Sequence, residues 1–313
     1  MNQPKLHISL LGGLVISLGE TAVTGFASRK VEALLVYLAC NPRPHPRETL
    51  AALLWPENDQ NRALANLSVA LTSLRKQLAT AVLAERHTVG FNTEMDFELD
   101  TAVFQQAIHQ AREEQKRGGK LSRTSAPRLA TAVSLYQGDF LAGFNIRNAP
   151  EFEAWVLLEQ ERLRHFFLTA LADLIAFHQQ RGQLGKAITY AQQLLAVDPL
   201  QENIHRQLMS LYVQDNQRAA ALAQYEQCAR ILDEELGVEP DEETAALYEE
   251  IAEGQGSVAS LTGAEERSLL PLSPSAPLHN LPAASTSFIG REAELVRIEA
   301  WLGEANGRLL TII

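Results

Sequence analysis

Positions 174–187 of this chain recur 34 residues later. Leu174 maps to Leu208, Phe177 to Leu211, Gly182 to Asn216, Gln183 to Gln217 and Ala187 to Ala221. Self-similarity at that period is the mark of helix pairs that bury their apolar faces only by stacking on neighbouring pairs. The matched residues fit the role. Gly182 and Asn216 fall where each inter-helix turn needs a left-handed backbone, which Gly adopts freely and Asn tolerates. Ala187 and Ala221 fall where two helices must approach closely, and Asp198-Pro199 separates the two units. The period therefore commits this part of the chain to an all-α stack of the tetratricopeptide kind. Such arrays usually bind protein and rarely carry out chemistry.

The helical pattern reaches well beyond the repeat, from Asp100 to about Glu253. Leu129–Leu135 leads into Y-Q-G-D-F-L-A-G-F (Tyr136–Phe144), where Gly138 and Gly143 break the helix around buried aromatics. A long helix follows over Phe152–Ala176, with Trp155 and Leu158 expected to face inward. Gly254–Ser287 is rich in Ser, Pro, Ala and Leu without a period, the composition of a disordered linker.

The stretch Asn58–Gln77 organises the region before residue 100. Leu67, Leu71, Leu74 and Leu78 fall at steps of four, three and four and share one helical face. Asn58 or Asp59 can cap its start, and Arg62, Asn66, Ser73, Arg75 and Lys76 lie mostly off the apolar stripe. Alone, this is an ordinary amphipathic helix with a solvated polar face. Its neighbours add to that. Arg47–Trp55 is a second apolar-faced helix, separated by little more than Pro56-Glu57, and the pair has the form of a helix-turn-helix. Strands are expected at Leu6–Leu11 and Leu14–Leu18, with a short third near Val23. Ser28 is placed to cap a first helix over Arg29–Ala39, which the run P-R-P-H-P (Pro42–Pro46) stops. Val82–Glu85 and Thr88–Phe91 can pair as a hairpin around Arg86-His87. Such a tip beside a recognition helix is a wing aimed at phosphate or the minor groove; otherwise Arg86 and His87 are exposed turn residues.

Charge sharpens the division. The 313 residues carry a net −11, which argues against non-specific coating of nucleic acid by the whole chain. Up to Gln77, however, eight Lys and Arg oppose five Asp and Glu, so the acidity lies downstream. A locally basic module on an acidic chain suits a DNA reader. Cys40 and Cys228 have no metal-ligand spacing around them and read as reduced thiols of a cytoplasmic protein. No nucleophile–base pair, metal spacing or complete phosphate loop is present, so an enzyme is not expected. No stretch approaches the roughly 18 apolar residues of a membrane span.

With these elements in order, residues 5–100 resemble the OmpR/PhoB-type winged helix, in its version from the SARP-type (antibiotic regulatory protein-like) activators. The resemblance rests on S-R-K at the first helix, L-A-A-L-L-W-P at the second and L-x-x-L-R-K-Q-L at the end of the third. The following segment resembles the bacterial transcriptional activator domain (BTAD), through L-Y-Q-G-D-F-L-A-G-F, F-E-A-W-V-L-L-E-Q-E-R-L-R, D-P-L at 198–200 and E-E-L-G-V-E-P at 234–240. S-F-I-G-R-E-A-E-L (Ser287–Leu295) resembles the start of a STAND-type or AAA-like NTPase. The phosphate loop would begin where this sequence stops, so no cofactor is expected in this chain, and ATP only in a longer one.

The expected architecture is thus multidomain and mainly α. An α+β winged helix-turn-helix spans 1–100, an all-α TPR-like domain 101–253, a linker 254–286 and a truncated NTPase start 287–313. The resemblance implies a sequence-specific transcription regulator, most simply an activator. Ser28, Arg29, Lys30, Arg75, Lys76 and the wing residues Arg86 and His87 would hold phosphates of the DNA backbone, and Ser73 would also lie at the DNA. Arg62 and Asn66 would reach base edges. The implied partners are double-stranded DNA with direct repeats, RNA polymerase and a second copy of the chain, with no membrane. The competing readings are a protein-interaction scaffold that has lost DNA binding, and the output region of a signalling ATPase.

Overall fold

Leu6, Ile8 and Leu10 alternate with more exposed residues, the period of a half-buried strand, and all three are buried. They build β1 (Leu6–Ser9), antiparallel to β2 (Val15–Leu18), which pairs with β3 (Thr21–Ala22). Next come α1 (Arg29–Cys40), β4 (His45–Pro46), α2 (Arg47–Leu54) and α3 (Gln60–Gln77). The expected hairpin is present as β5 (Val82–Ala84) and β6 (Thr88–Phe91), and β4 adds to its other side in the order β4-β6-β5. Finally β7 (Phe97–Leu99) returns to lie parallel to β1, completing the sheet β3-β2-β1-β7. The sequence reading lacked β4 and β7. One is two residues inside a proline run, and the other is three residues held by a partner some ninety positions away. The computed structural model describes residues 4–118 and 120–254. The NTPase-like start, and the linker apart from Gly254, lie outside the described residues.

Beyond β7 the chain is helical: α4 (Asp100–Gly118), α5 (Ser125–Leu135), α6 (Pro150–Gln179), α7 (Leu184–Val197), α8 (Glu202–Gln214), α9 (Arg218–Leu236) and α10 (Glu242–Ala252). The end of α6 with α7, and α8 with α9, are the two repeats. Their turns carry Gly182 at φ 65° and Asn216 at φ 58°, the left-handed region that the matched positions require. Ala187 and Ala221 have no exposed surface, as close helix approach demands. Helix α10 covers the outer end of the stack, placing Leu247 and Ile251 on Met209 and Ala221. One expectation fails. Leu158 is 71 % exposed, because the inner face of α6 is set by Phe152, Val156, Leu163 and Phe167, and Leu158 falls on the other side. Trp155 is half-buried and packs between Tyr37, Phe140 and Phe152.

The boundary drawn at residue 100 divides the elements but not the core. An apolar cluster runs continuously from Leu6 to Leu211. Leu11 bridges Phe140, Leu141 N donates to Leu10 O (2.8 Å), and Gly12 N donates to Asp139 O (3.1 Å). The Asp100 carboxylate accepts from Leu10 N (2.7 Å) and Leu11 N (2.9 Å). Gly12 is required here: its φ is 108°, and a Cβ would lie 2.9 Å from Gln137 Cβ.

Candidate nucleic-acid interface

Helix α3 starts where the Asp59 carboxylate accepts from Arg62 N at 3.0 Å, satisfying one of the free N–H groups of the first turn. Ala63, Leu67, Ala70, Leu71 and Leu74 are buried, so one side of the helix is wholly committed to the core. On the opposite side Ala65, Val69, Thr72 and Lys76, at steps of four, three and four, are all exposed. Exposed Asn61 and Arg62 stand at the N-terminal end of this stripe, and Ser68 and Arg75 border it.

Hydrogen bonds fasten both edges of the helix. Arg47, the first residue of α2, donates from Nη2 to Ser68 Oγ (3.0 Å) and from Nη1 to Glu85 O (3.5 Å). One guanidinium thus ties α2, α3 and the hairpin together. Arg75 Nη2 donates to Ala84 O (3.5 Å), a second strap to the hairpin. At the tip, Glu85 N donates to Thr88 O (2.9 Å) and Arg47 N to His87 O (3.0 Å). Along the other edge Ala27 N donates to Ser73 Oγ (3.4 Å), and Gln77 Nε2 to Gly25 O (3.4 Å). The hairpin is therefore held beside α3 at a fixed place, as a wing must be to reach a backbone.

The residues singled out in the sequence separate into three sets. Arg62, Arg75 and Lys76 are exposed at the margins of the α3 stripe, and Arg86 and His87 are exposed at the hairpin tip. Asn66 and Ser73 are half-buried, with Ser73 engaged by the loop before α1. Ser28, Arg29 and Lys30 lie at the start of α1. Ser28 occupies the N-cap position, but its side chain makes no capping bond. The Arg29 guanidinium reaches Gly143 O (3.5 Å) and stands 5.5 Å from the centre of the Phe144 ring. Lys30 pairs with Glu57 (3.2 Å) and lies over Trp55. Arg29 and Lys30 are thus engaged by protein groups. Ser28 and Arg29 border a recess of about 540 Å³ between the β2–β3 region, the start of α1 and residues 142–144, lined also by Val15, Phe26, Glu32 and Phe144. Burial raises the Glu32 carboxyl, against the pull of Arg29.

Sequence reasoning passed over Arg47, Ala65, Val69 and Thr72. The last three could have been found by extending the helical period through Lys76; the role of Arg47 depends on tertiary contacts. Among the described residues, no three His, Cys, Asp or Glu side chains gather as a metal site. Cys40 and Cys228 are free thiols, and burial pushes that of Cys228 up to about 11. No described helix is long and apolar enough to cross a membrane.

Comparison with known proteins adds to this geometry. Residues 99–252 match the family described as bacterial transcriptional activator domain. The chain is 28 % identical over 292 residues to the regulatory protein AfsR of Streptomyces coelicolor, covering 92 % of this chain and 28 % of the relative. It is 29 % identical over 252 residues to the transcriptional regulator RedD of the same organism, covering 75 % of this chain and 67 % of the relative. It therefore spans less than a third of the length of AfsR. A solved structure of Mycobacterium tuberculosis EmbR, in complex with a low-affinity phosphopeptide, superposes with a TM-score of 0.59 at 21 % identity. That superposition covers 86 % of this chain and 71 % of EmbR, and it shows a shared fold.

Proposed function

We propose that this chain, whose residues 99–252 match the bacterial transcriptional activator domain family, is a sequence-specific DNA-binding regulator of transcription. Helix α3 enters the major groove, which is wide enough to admit a helix and displays a distinct pattern for each base pair. Arg75, Lys76, Arg86 and His87 hold backbone phosphates, which fix the register of the protein on the duplex. Arg62 and Asn66, in the first half of α3, read base edges, Arg suiting guanine and Asn adenine. The TPR-like helices couple neighbouring copies on tandem half-sites or contact RNA polymerase.

One observation carries this reading: a helix buried along one face leaves the other exposed, edged by Arg62 and Arg75, with a hairpin strapped alongside. The test is to select bound duplexes from a random pool with the 313-residue chain. A recovered consensus, bound far more tightly than shuffled sequence, is expected. Replacing Arg75 and Lys76 together with Ala should then weaken binding to all sequences alike and shallow the salt dependence by up to about two phosphate contacts. Failure to enrich any sequence would overturn the reading.

A further inference from the structure

The centre of the exposed α3 face differs chemically from its margins. Val69 is 67 % exposed, and exposed Ala65 and Thr72 stand on either side of it along the stripe. The hydroxyls nearby are already committed. Ser68 Oγ donates to Leu64 O (2.9 Å) and accepts from Arg47, while Thr72 Oγ1 donates to Ser68 O (2.9 Å). A hydroxyl has one hydrogen to give, so neither has one left for a base edge. Three successive positions of the stripe thus offer methyl groups on short side chains, and no donor. The long donors Arg62, Arg75 and Lys76 stand towards its ends.

In the major groove only one of the four bases presents an apolar group, the C5-methyl of thymine. We propose that Val69, flanked by Ala65 and the methyl of Thr72, reads thymine methyl groups at the centre of the bound site, while Arg62 reads a polar base edge at one end of the stripe and Arg75 and Lys76 hold phosphates at the other. This rests on the reading of α3 as the helix that enters the groove. The short side chains also suit the geometry, since they let the helix lie deep enough for methyl–methyl contact.

The test uses the 313-residue chain and the selected consensus duplex. Thymines are replaced one at a time by uracil, which removes the methyl and leaves the pairing edge unchanged. At one or two positions the swap should weaken binding about fourfold, the fold-change for exposing one methyl-sized group. Val69→Ala, at a position too exposed to matter to the fold, should weaken binding to the thymine site. It should also make the uracil swap nearly silent, so that the two changes are strongly non-additive. A uracil scan without effect on the wild-type protein, with the consensus still recovered, would overturn methyl reading and leave DNA recognition standing. Full additivity of Val69→Ala with every uracil swap would remove Val69 from the contact. Absence of any consensus would overturn both.

Discussion

Phe140→Ala tests whether the winged helix and the helical array fold as one body. The Phe140 side chain is 1 % exposed and its ring meets Trp155 edge-on at 5.6 Å. Its backbone bridges Leu11, just beyond β1. Truncating a buried aromatic costs about 3–5 kcal/mol through lost burial and the cavity left behind. A folded unit of this size loses roughly 2–4 °C in Tm per kcal/mol, so a fall of about 6–20 °C is expected. The more telling quantity is where the loss appears. The core is continuous from Leu6 to Leu211, so hydrogen exchange in α1 and in α8 should accelerate together and by a similar free energy. Lost protection confined to α5 and α6, with α1 unchanged, would refute the single body and restore the boundary at residue 100 as a true division.

Gly12→Ala should cost more than Gly143→Ala in urea unfolding. Both need a positive φ, worth about 1–2 kcal/mol against an L side chain, but only at Gly12 would the new Cβ also collide with Gln137, whereas at Gly143 it meets open space. Stability should also fall on acidification through His205. Its ring is buried between Pro199 O (2.9 Å) and Gln224 Nε2 (2.6 Å), and burial lowers its pKa in the fold. The unfolded chain then binds the extra proton first. The contribution of His205 is therefore complete above the ordinary histidine value of about 6.5 and is lost as the pH falls below it. His205→Gln should flatten the urea midpoint between pH 7 and pH 5 relative to wild type, and an unchanged slope would assign the dependence elsewhere.

Much of this architecture is legible in the sequence because it rests on local periods. Leu67, Leu71, Leu74 and Leu78 fix the buried face of α3 without reference to anything outside the helix, and the 34-residue period alone places Gly182 and Asn216 in the turns. What escaped depends on distant partners. Strand β4 exists because β6 accepts it, and β7 because β1 does. Leu158 faces out because Phe152 and Val156 take the inner face of α6. On the candidate interface, choosing residues by charge picks Arg62, Arg75 and Lys76, which stand exposed along α3, together with Arg29 and Lys30 at the start of α1. Their partners, Gly143, Phe144, Glu57 and Trp55, come from other parts of the fold. The same criterion passed over Ala65, Val69 and Thr72, where the signal lies in exposure rather than in charge.

Ala65→Glu tests whether the exposed face of α3 is the surface that meets DNA. Ala65 is exposed midway between Arg62 and Val69, so a glutamate there is tolerated by the fold but would be pressed into a strongly negative groove. Like charges brought together across an interface cost several kcal/mol. The measurement is the equilibrium affinity of the 313-residue chain for its selected duplex, beside its urea midpoint. An affinity loss of at least about tenfold is expected, with the midpoint unchanged. Undiminished binding by the Ala65→Glu protein would place the DNA elsewhere and contradict the assignment of this face.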